Sequence, residues 1–405
     1  MRRVLLGALM SLSPVALAGP DALLVTQEWA IEQGELKTYT GVQRYKVGGV
    51  GEIEGLIKKL SRPPTPAKWV FTKDRGWVAV ERPGYAFGPQ NAKNAYLEAL
   101  REGKKEFRLP VAYERSSRGV VYWHTLGVRE LISEATTTFY GSIPSRIYNI
   151  AHASAKLDGV LIPPDTTFSY LQTVGEISFR TGFREAYVIV GDKTETGVGG
   201  GVCQTSTTLF RAAYFAGLPI LERRPHSYQV GYYSPTGLDA AVYYPTQDLK
   251  FKNDTPGYIL IQTQVRGYRA TYRFFGTKDR DTTWTKPLVR NVIPAPPTRF
   301  IVDASLRYGQ RKQIDFSAPG AQVTVHRTVT FDDGRVVKDS LFSQYRPWAA
   351  VYLVGPTPPP PPKPEPKPEE KPAEPVPAAD PLPPPAPAPV PPSDPLGPDD
   401  PATSP

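Results

Sequence analysis

The N-terminal third of the chain combines short alternating runs with one amphipathic stretch. Residues 68–72 and 77–80 alternate between apolar and polar side chains as strands do, and residues 73–76 separate them as a polar turn. Residues 91–102 place their apolar side chains at helical spacing. These patterns predict a small α+β unit over residues 19–128.

The middle of the chain carries longer helical patterns, followed by a series of alternating runs. Residues 203–216 are predicted to form a helix that ends before Gly217, and an earlier helical face ends before Gly159. Strands are predicted at residues 226–233, 238–244, 249–252, 258–265 and 270–275. We therefore expect a mixed domain over residues 129–276, in which the helix that carries Cys203 packs on an antiparallel sheet.

The last third of the chain changes from alternating runs to a proline-rich segment. Residues 285–355 contain alternating apolar runs and turns but few large side chains, which predicts a β-rich module. Of the 46 prolines, 24 lie in residues 356–405, where no aromatic residue occurs. Such a composition cannot bury enough apolar surface to order the chain, so we predict a disordered tail. The whole chain is thus predicted to be an α+β multidomain protein.

Charge and the N-terminus indicate where the protein acts. The tail, with three lysines and eight acidic residues, contributes −5 to the net charge of +9, and Arg2 and Arg3 contribute +2, which leaves about +12 on residues 19–355. Residues 1–18 join a basic start to a short apolar run and end in Ala-Leu-Ala, the pattern of a cleaved signal peptide. The run is shorter than the ~20 residues of a spanning helix, and no later stretch is long and apolar enough. We expect an exported protein, periplasmic, wall-associated or extracellular, with no transmembrane segment after cleavage.

The chain of 405 residues has a single cysteine, Cys203, so an exported form cannot use an internal disulfide. A lone thiol in an oxidising compartment is either buried and inert or chemically used. Cys203 follows Gly199, Gly200 and Gly201 and lies at the start of a predicted helix, where free N–H groups favour a thiolate. The backbone N–H groups of residues 202–204 are candidates for an oxyanion hole.

One histidine and two aspartates complete a candidate catalytic group. His226 lies 23 residues after Cys203, and Asp239 and Asp248 follow on the next predicted strands. An imidazole takes the thiol proton and a carboxylate orients the imidazole. The order Cys, His, Asp resembles that of transglutaminase-like thiol acyl-transfer enzymes. A hairpin centred at residues 235–236 would separate His226 from Asp239, so Asp239 and Asp248 remain alternative orienting residues.

The same residues also fit purely structural roles. Cys203 equally fits a buried helix residue behind a tight glycine turn, and His226 fits a strand residue bonded to a backbone carbonyl. The four histidines, His124, His152, His226 and His326, are scattered and offer no paired ligand spacing, so no metal site is predicted. The glycine cluster lacks the Gly-Lys-Ser/Thr of a phosphate-binding loop, and no cofactor is predicted.

Several longer motifs surround these candidate residues. They are Asn149-Ile150-Ala151 with Leu157-Asp158-Gly159-Val160, Thr167-Phe168-Ser169, the run GGGVCQTSTTL from Gly199 to Leu209, Glu222-Arg223 with His226-Ser227, Tyr233 and Gly237-Leu238-Asp239-Ala240, and Asp248-Leu249-Lys250-Phe251-Lys252-Asn253. Together they strongly resemble the VanW family over about residues 129–270. Less specifically, residues 63–113 look like the peptidoglycan-binding module that often precedes VanW domains, and residues 300–355 look like the small G-five envelope domain. The resemblance implies a bacterial envelope protein associated with vancomycin resistance, and no particular reaction.

The first function that fits these observations is an exported enzyme acting on the peptide stems or cross-links of peptidoglycan. The reaction would be thiol-dependent acyl transfer or amide hydrolysis, with Cys203 as nucleophile, His226 as base and Asp239 or Asp248 as its orienting residue. Gln204 and local N–H groups would stabilise the oxyanion. The predicted substrate-binding residues are Gly199, Gly200, Gly201, Ser206 and Arg223.

The second function is that of a non-catalytic protein that binds or scaffolds the cell wall. In this case the flanking modules hold the wall polymer, and the basic body attracts anionic wall or lipid groups. Such a protein would be linked to glycopeptide resistance or envelope maintenance. Nucleic acid is not an expected partner, because export argues against it and no recognition element occurs in the sequence.

Overall fold

The computed structural model describes residues 19–190 and 193–356, which form a mixed, strand-rich chain built mainly on antiparallel sheets. This confirms the predicted combination of helices and antiparallel strands. The predicted signal peptide and the predicted tail from residue 357 onward lie outside the described residues. Within the described ranges, every helix is too short or too polar to cross a membrane.

The N-terminal region forms a five-stranded sheet and a separate two-stranded sheet, with helices alongside. The five strands are β1 (Asp21–Glu32), β2 (Glu35–Tyr45), β3 (Thr65–Thr72), β4 (Gly76–Arg82) and β6 (Glu106–Arg108), and the pair is β5 (Gly84–Ala86) with β7 (Ala112–Glu114). Its helices are α1 (Ile53–Leu60), α2 (Pro89–Arg101) and α3 (Val120–Thr125). The sheet order is β2-β1-β4-β3, with β6 parallel to β1. The predicted strand pair and the predicted helix are present as β3–β4 and α2.

The central region places two long helices against a four-stranded antiparallel sheet in the order β8-β16-β15-β9. Its strands are β8 (Glu130–Thr138), β9 (Leu161–Ile162), β10 (Thr167–Ser169), β11 (Glu185–Val190), β12 (Lys193–Val198), β13 (Ile220–Glu222), β14 (Lys250–Lys252), β15 (Ile259–Arg266) and β16 (Arg269–Gly276). Its helices are α4 (Pro144–Leu157), α5 (Tyr170–Val174) and α6 (Val202–Phe215). The hydroxyl of Ser133 on β8 donates to the carbonyl of Ala212 on α6 at 2.8 Å, and those of Thr137 and Thr208 are 2.6 Å apart. Helix α6, which carries Cys203, therefore lies on this sheet.

Aromatic side chains join the N-terminal sheet to the central one. The rings of Trp69 on β3 and Phe275 on β16 stack with centroids 4.5 Å apart, and both are buried. The side-chain amide of Gln262 bonds to the backbone N–H and carbonyl of Trp69, each at 3.1 Å. Stacked aromatic rings and satisfied polar groups make this contact part of a continuous core.

The segment between β13 and β14 differs from the sequence prediction. The strands expected at 226–233 and 238–244 are absent, and the chain forms a loop with one short 3₁₀ turn, Gly231–Tyr233. The buried guanidinium of Arg211 on α6 explains how this loop is held, because it donates to the carbonyls of Tyr233, Ser234, Pro235 and Leu238. A side chain thus satisfies backbone groups that a sheet ladder would otherwise pair.

The C-terminal region is built entirely from strands in the described residues, as predicted for 285–355. They are β17 (Arg280–Trp284), β18 (Leu288–Ile293), β19 (Arg299–Val302), β20 (Arg311–Asp315), β21 (Gly320–Phe331), β22 (Val336–Tyr345) and β23 (Val351–Val354). Strands β21 and β22 form a long hairpin. Arg327 on β21 donates to the carbonyls of Tyr214 and Leu218 at 2.9 and 3.0 Å. The hairpin therefore caps the C-terminal end of α6.

Candidate active site

Helix α6 starts from a tight glycine turn. Gly199 and Gly201 have φ angles of +87° and +108°, in the region that favours glycine. A Cβ atom on Gly199 would lie 2.2 Å from Cγ2 of Ile177, and one on Gly200 would lie 2.5 Å from the carbonyl oxygen of Tyr187. Backbone conformation and close packing therefore explain the cluster. Gly199 and Gly200 are buried against protein atoms, which differs from their predicted substrate-binding role.

Cys203 lies in the first turn of α6 and packs against the edge of the hydrophobic core of the central region. The residue is half-buried, and Sγ lies 3.5 Å from the carbonyl oxygen of Val242. The N–H groups of Val202 and Gln204 donate to carbonyl oxygens of the glycine cluster. The N–H of Cys203 donates to no backbone carbonyl outside the helix among the described residues, so it is one of the orphan donors of this helix start.

His226 lies between the thiol of Cys203 and the carboxylate of Asp239. Oδ2 of Asp239 is 2.8 Å from the backbone N and 2.5 Å from Nδ1 of His226. Both side chains are buried, with 5% and 3% of their surface exposed. Nε2, the other ring nitrogen, is buried and has no hydrogen-bond partner in the described part of the chain. The thiol of Cys203 is close enough for each group to shift the pKa of the other. The carboxylate therefore fixes one side of the imidazole, and the thiol is the nearby group that the unpartnered nitrogen can serve.

Asp239, and not Asp248, is the aspartate that contacts His226. Arg223 donates to Oδ1 of Asp239 at 3.2 Å and to its backbone carbonyl at 2.5 Å, and the hydroxyl of Tyr345 donates to Oδ1 at 2.5 Å. Asp248 accepts instead from the hydroxyl of Ser169 at 2.6 Å and from two backbone N–H groups. The contact is possible because residues 226–239 form a loop rather than the predicted hairpin.

The electrostatics of the three groups favour a thiolate and a protonated imidazole. Burial by itself raises the pKa of the Cys203 thiol, but the nearby His226 imidazole and its charge outweigh it, so the pKa is lowered. Burial lowers the pKa of His226, but Asp239 and Cys203 outweigh that effect and raise it to about 9. Burial raises the pKa of Asp239, while His226 and Arg223 together bring it well below its ordinary value. The arrangement therefore shifts the balance from two neutral groups toward a thiolate–imidazolium pair.

Three other predicted site residues are committed to contacts within the protein. Nε2 of Gln204 donates to Oγ1 of Thr137 at 2.7 Å and to the carbonyl of the next residue at 3.2 Å. The hydroxyl of Ser206 donates to the carbonyl of Ala240 at 2.6 Å. Arg223 is occupied by Asp239 and by the C-terminal hairpin. Their predicted roles toward oxyanion and substrate do not fit these positions, because each donor is already used and buried.

The comparisons with known proteins identify the family. A family profile described as "VanW like protein" matches residues 145–275. The "Uncharacterized protein YoaR" of Bacillus subtilis (strain 168) is 38% identical over 219 residues, which are 53% of this chain and 70% of that protein. The chain belongs to the VanW family. The "Vancomycin B-type resistance protein VanW" of Enterococcus faecalis (strain ATCC 700802 / V583) is 31% identical over 27% of this chain and 42% of its own length.

The VanW match covers the thiol site but not all of its surroundings. Cys203, His226 and Asp239 lie inside the matched range, while Tyr345 lies outside it. The solved structure entitled "Crystal structure of HP0197-G5" matches 19% of this chain and 99% of its own at 20% identity, with a TM-score of 0.10. A likeness at that score supports no conclusion about fold. The G-five resemblance of residues 300–355 therefore stays a prediction.

Three residues of the VanW-family site were not predicted as functional. The ring of Tyr233 lies 4.8 Å from that of His226, Tyr345 contacts Asp239, and the charge of Arg146 acts on the thiol. Tyr345 lies more than 100 residues after Asp239 in the sequence. Arg146 lies on a helix whose sequence pattern predicts only which apolar side chains are buried. Tyr233 belongs to a family motif, which is the one signal that points to it. Only the folded chain brings these three together.

Other parts of the VanW-family chain have fewer side chains that could catalyse a reaction or bind a metal. A cavity of about 450 Å³ is lined by Ser117, Arg118, Tyr122 and residues 158–161, away from the thiol. It holds a single pair of opposite charges, Arg118 and Asp158, and no nucleophile beside a base. No group of three or more histidine, cysteine or acidic side chains converges as metal ligands in residues 19–190 and 193–356. The group around Cys203 therefore remains the candidate site.

Proposed function

We propose that this VanW-family protein is an exported cell-envelope enzyme that transfers or hydrolyses amide-linked acyl groups in the peptide stems of peptidoglycan. The single observation that carries the catalytic part is the position of His226, which is bonded to the buried Asp239 carboxylate through Nδ1 and keeps Nε2 unpartnered near the Cys203 thiol. A thiolate beside an imidazolium is the activated form of a cysteine nucleophile. Cys203 is half-buried at the start of α6, and attack on a polymer requires that its sulfur be reached from that end of the helix.

The acylation half of the reaction uses the ion pair directly. The thiolate of Cys203 attacks the carbonyl carbon of the amide, and a carbon–sulfur bond forms. The tetrahedral oxyanion is stabilised by the free N–H of Cys203 at the start of α6. The carbon–nitrogen bond then breaks as His226 gives its proton to the leaving amine. The products are a thioester on Cys203 and a free amine.

The second half restores the enzyme. Water, or the amine of a second peptide stem, attacks the thioester carbon while neutral His226 accepts its proton. The carbon–sulfur bond breaks and the thiolate leaves, which re-forms the ion pair with the imidazolium. Water gives hydrolysis and an amine gives transpeptidation. Asp239 acts throughout as the positioning residue that holds Nδ1 of His226.

The proposed location and substrate class are supported by the family, the N-terminal sequence and the net charge. The family includes a protein whose name links it to vancomycin resistance. The sequence predicts export, and residues 19–355 carry about +12 in charge, which suits an anionic wall polymer. Peptidoglycan provides the amide bonds that a cysteine nucleophile attacks.

Purified wild-type protein and Cys203→Ala should be incubated with muropeptides, and the products separated by chromatography. We expect new product peaks with the wild type and a loss of at least ~10³-fold in rate with the variant, as for other removed nucleophiles. Product peaks that persist in Cys203→Ala would exclude the catalytic proposal. If neither protein forms products but both sediment with purified sacculi at low salt, the protein is a wall-binding protein instead.

A further inference from the structure

Arg146 lies against the residues that flank Cys203, and its charge acts on the thiol. It belongs to the first turn of α4, and its Cγ lies 3.0 Å from where a Cβ atom on Gly201 would stand. Nη2 donates to Oε1 of Gln204 at 3.0 Å, and the guanidinium lies 4.4 Å from the ring centroid of Tyr232. The half-buried guanidinium is thus fixed next to the start of α6.

Most of the hydrogen-bonding capacity of this guanidinium is free. Apart from the bond to Gln204, it donates from Nη1 to the hydroxyl of Ser142 at 2.5 Å. A guanidinium carries five N–H groups, so three have no acceptor among the described residues. Within the same residues it forms no ion pair with an acidic side chain. Arginine with free, coplanar N–H groups binds carboxylates in a bidentate manner.

The charges around the thiol also favour an anionic ligand. The cationic groups are Arg146, Arg211, Arg223 and protonated His226, and the anionic groups are Asp239 and the thiolate of Cys203. Arg211 and Arg223 are committed to carbonyl groups and to Asp239. Arg146 is therefore the cation of the group that remains available to a substrate.

We propose that Arg146 binds the free C-terminal carboxylate of a peptide stem, so that the amide attacked by Cys203 is the bond next to that terminus. This inference rests on the proposed function. Attack forms the thioester on the shortened stem, breaks the terminal carbon–nitrogen bond and releases the last amino acid, whose nitrogen takes the proton from His226. One residue spans at most ~3.6 Å, so the carboxylate of such a substrate stays close to the reacting sulfur.

The proposal is tested by alkylating Cys203 with two reagents of similar size, anionic iodoacetate and neutral iodoacetamide. We expect Arg146→Gln to lower the ratio of the iodoacetate rate to the iodoacetamide rate about tenfold, the loss of one charge-assisted interaction. Arg146→Lys should retain part of the preference. The matched control is Arg184→Gln, because Arg184 packs on Tyr148 of the same helix and not on the thiol site. An unchanged ratio in Arg146→Gln, or an equal fall in the control, would overturn the proposal.

A second measurement uses the wild-type protein and needs no folded variant. An acylated dipeptide with a free carboxylate should protect Cys203 from iodoacetamide at a concentration about tenfold lower than the same dipeptide with a C-terminal amide. Inorganic phosphate is tested in the same way, as an anion that is not a carboxylate. Equal protection by acid and amide, or stronger protection by phosphate, would exclude a carboxylate site. Because alkylation needs no turnover, this result is independent of the muropeptide assay.

Discussion

At the residue scale, Asp239 is the most heavily bonded side chain of the site. Its carboxylate accepts from the backbone N–H and Nδ1 of His226, from Arg223 and from Tyr345. Each of these bonds stabilises the ionised form, so the pKa stays low despite burial. A charged carboxylate at Nδ1 in turn keeps His226 protonated. The ionisation of Cys203 is therefore controlled by a residue that does not touch it.

This chain of effects predicts the pH dependence of Cys203 alkylation by iodoacetamide. The thiolate is the reactive form, so the rate rises with pH through the pKa of the thiol. We expect a midpoint below that of the same protein after denaturation, because the pKa of Cys203 is lowered in the fold. In Asp239→Asn the pKa of His226 falls, the thiolate loses its cation, and the midpoint should rise toward that of the denatured protein.

The matched control for that prediction is Asp281→Asn, which removes the same charge from a side chain that is 77% exposed. Its midpoint should equal that of the wild type. A wild-type midpoint at or above that of the denatured protein, or an unshifted midpoint in Asp239→Asn, would show that the imidazole does not activate the thiol.

At the element scale, α6 depends on tertiary contacts for its stability. Residues 205–208 read Thr-Ser-Thr-Thr, which are poor helix formers in isolation. All four are buried, and their hydroxyl groups bond outside the helix to Tyr170, to the Ala240 backbone and to Thr137. The polar, buried face of α6 therefore fixes the helix, and with it Cys203, relative to the loop that carries Asp239.

Gly201→Ala tests the turn that starts α6. Its φ of +108° is strained for alanine, and the added Cβ would lie 3.0 Å from Cγ of Arg146. We expect the free energy of unfolding to fall by about 1–3 kcal/mol, measured by urea denaturation followed by circular dichroism. Gly49→Ala is the control, since Gly49 is extended and open space surrounds it. Equal stabilities of the two variants would contradict a strained helix start.

At the scale of the whole molecule, the C-terminal hairpin completes the site. Tyr345 and Ser343 on β22 bond to Asp239 and Arg223, and Arg327 on β21 bonds to the end of α6. Val325 on β21 lies in the same hydrophobic core as the buried residues of α6. The hairpin therefore contributes to the immediate surroundings of the thiol, although it lies beyond the residues of the family match.

Tyr345→Phe measures this contribution. The hydroxyl donates to Asp239 and accepts from the backbone N–H of Gly237 at 2.9 Å, so its removal leaves two buried polar groups short of a partner. We expect the free energy of unfolding to fall by about 1–3 kcal/mol in urea denaturation. Tyr308→Phe, at a tyrosine that is 71% exposed, should leave it nearly unchanged. A neutral Tyr345→Phe would mean that the hairpin does not support the site.

The local features of the site were predictable from the sequence because they depend on neighbours in the chain. A glycine cluster before an amphipathic run predicts a helix start, and the lone cysteine of a chain with a leader-like N-terminus draws attention to its chemistry. His226 was a candidate for the same reason of spacing and residue type. Helices α2 and α6 and the hairpin β3–β4 follow from periodicity, which is also local.

The choice between Asp239 and Asp248 was made by the tertiary structure alone. The segment after His226 alternates like a strand, yet Arg211 from another element binds its carbonyls and keeps it a loop, and this folding brings Asp239 to the imidazole. The burial of Gln204, and the positions of Arg146 and Tyr345 near the thiol site, likewise depend on which surfaces pack together. Contacts between residues that are distant in sequence leave no periodic trace in the chain, so only the folded structure reveals them.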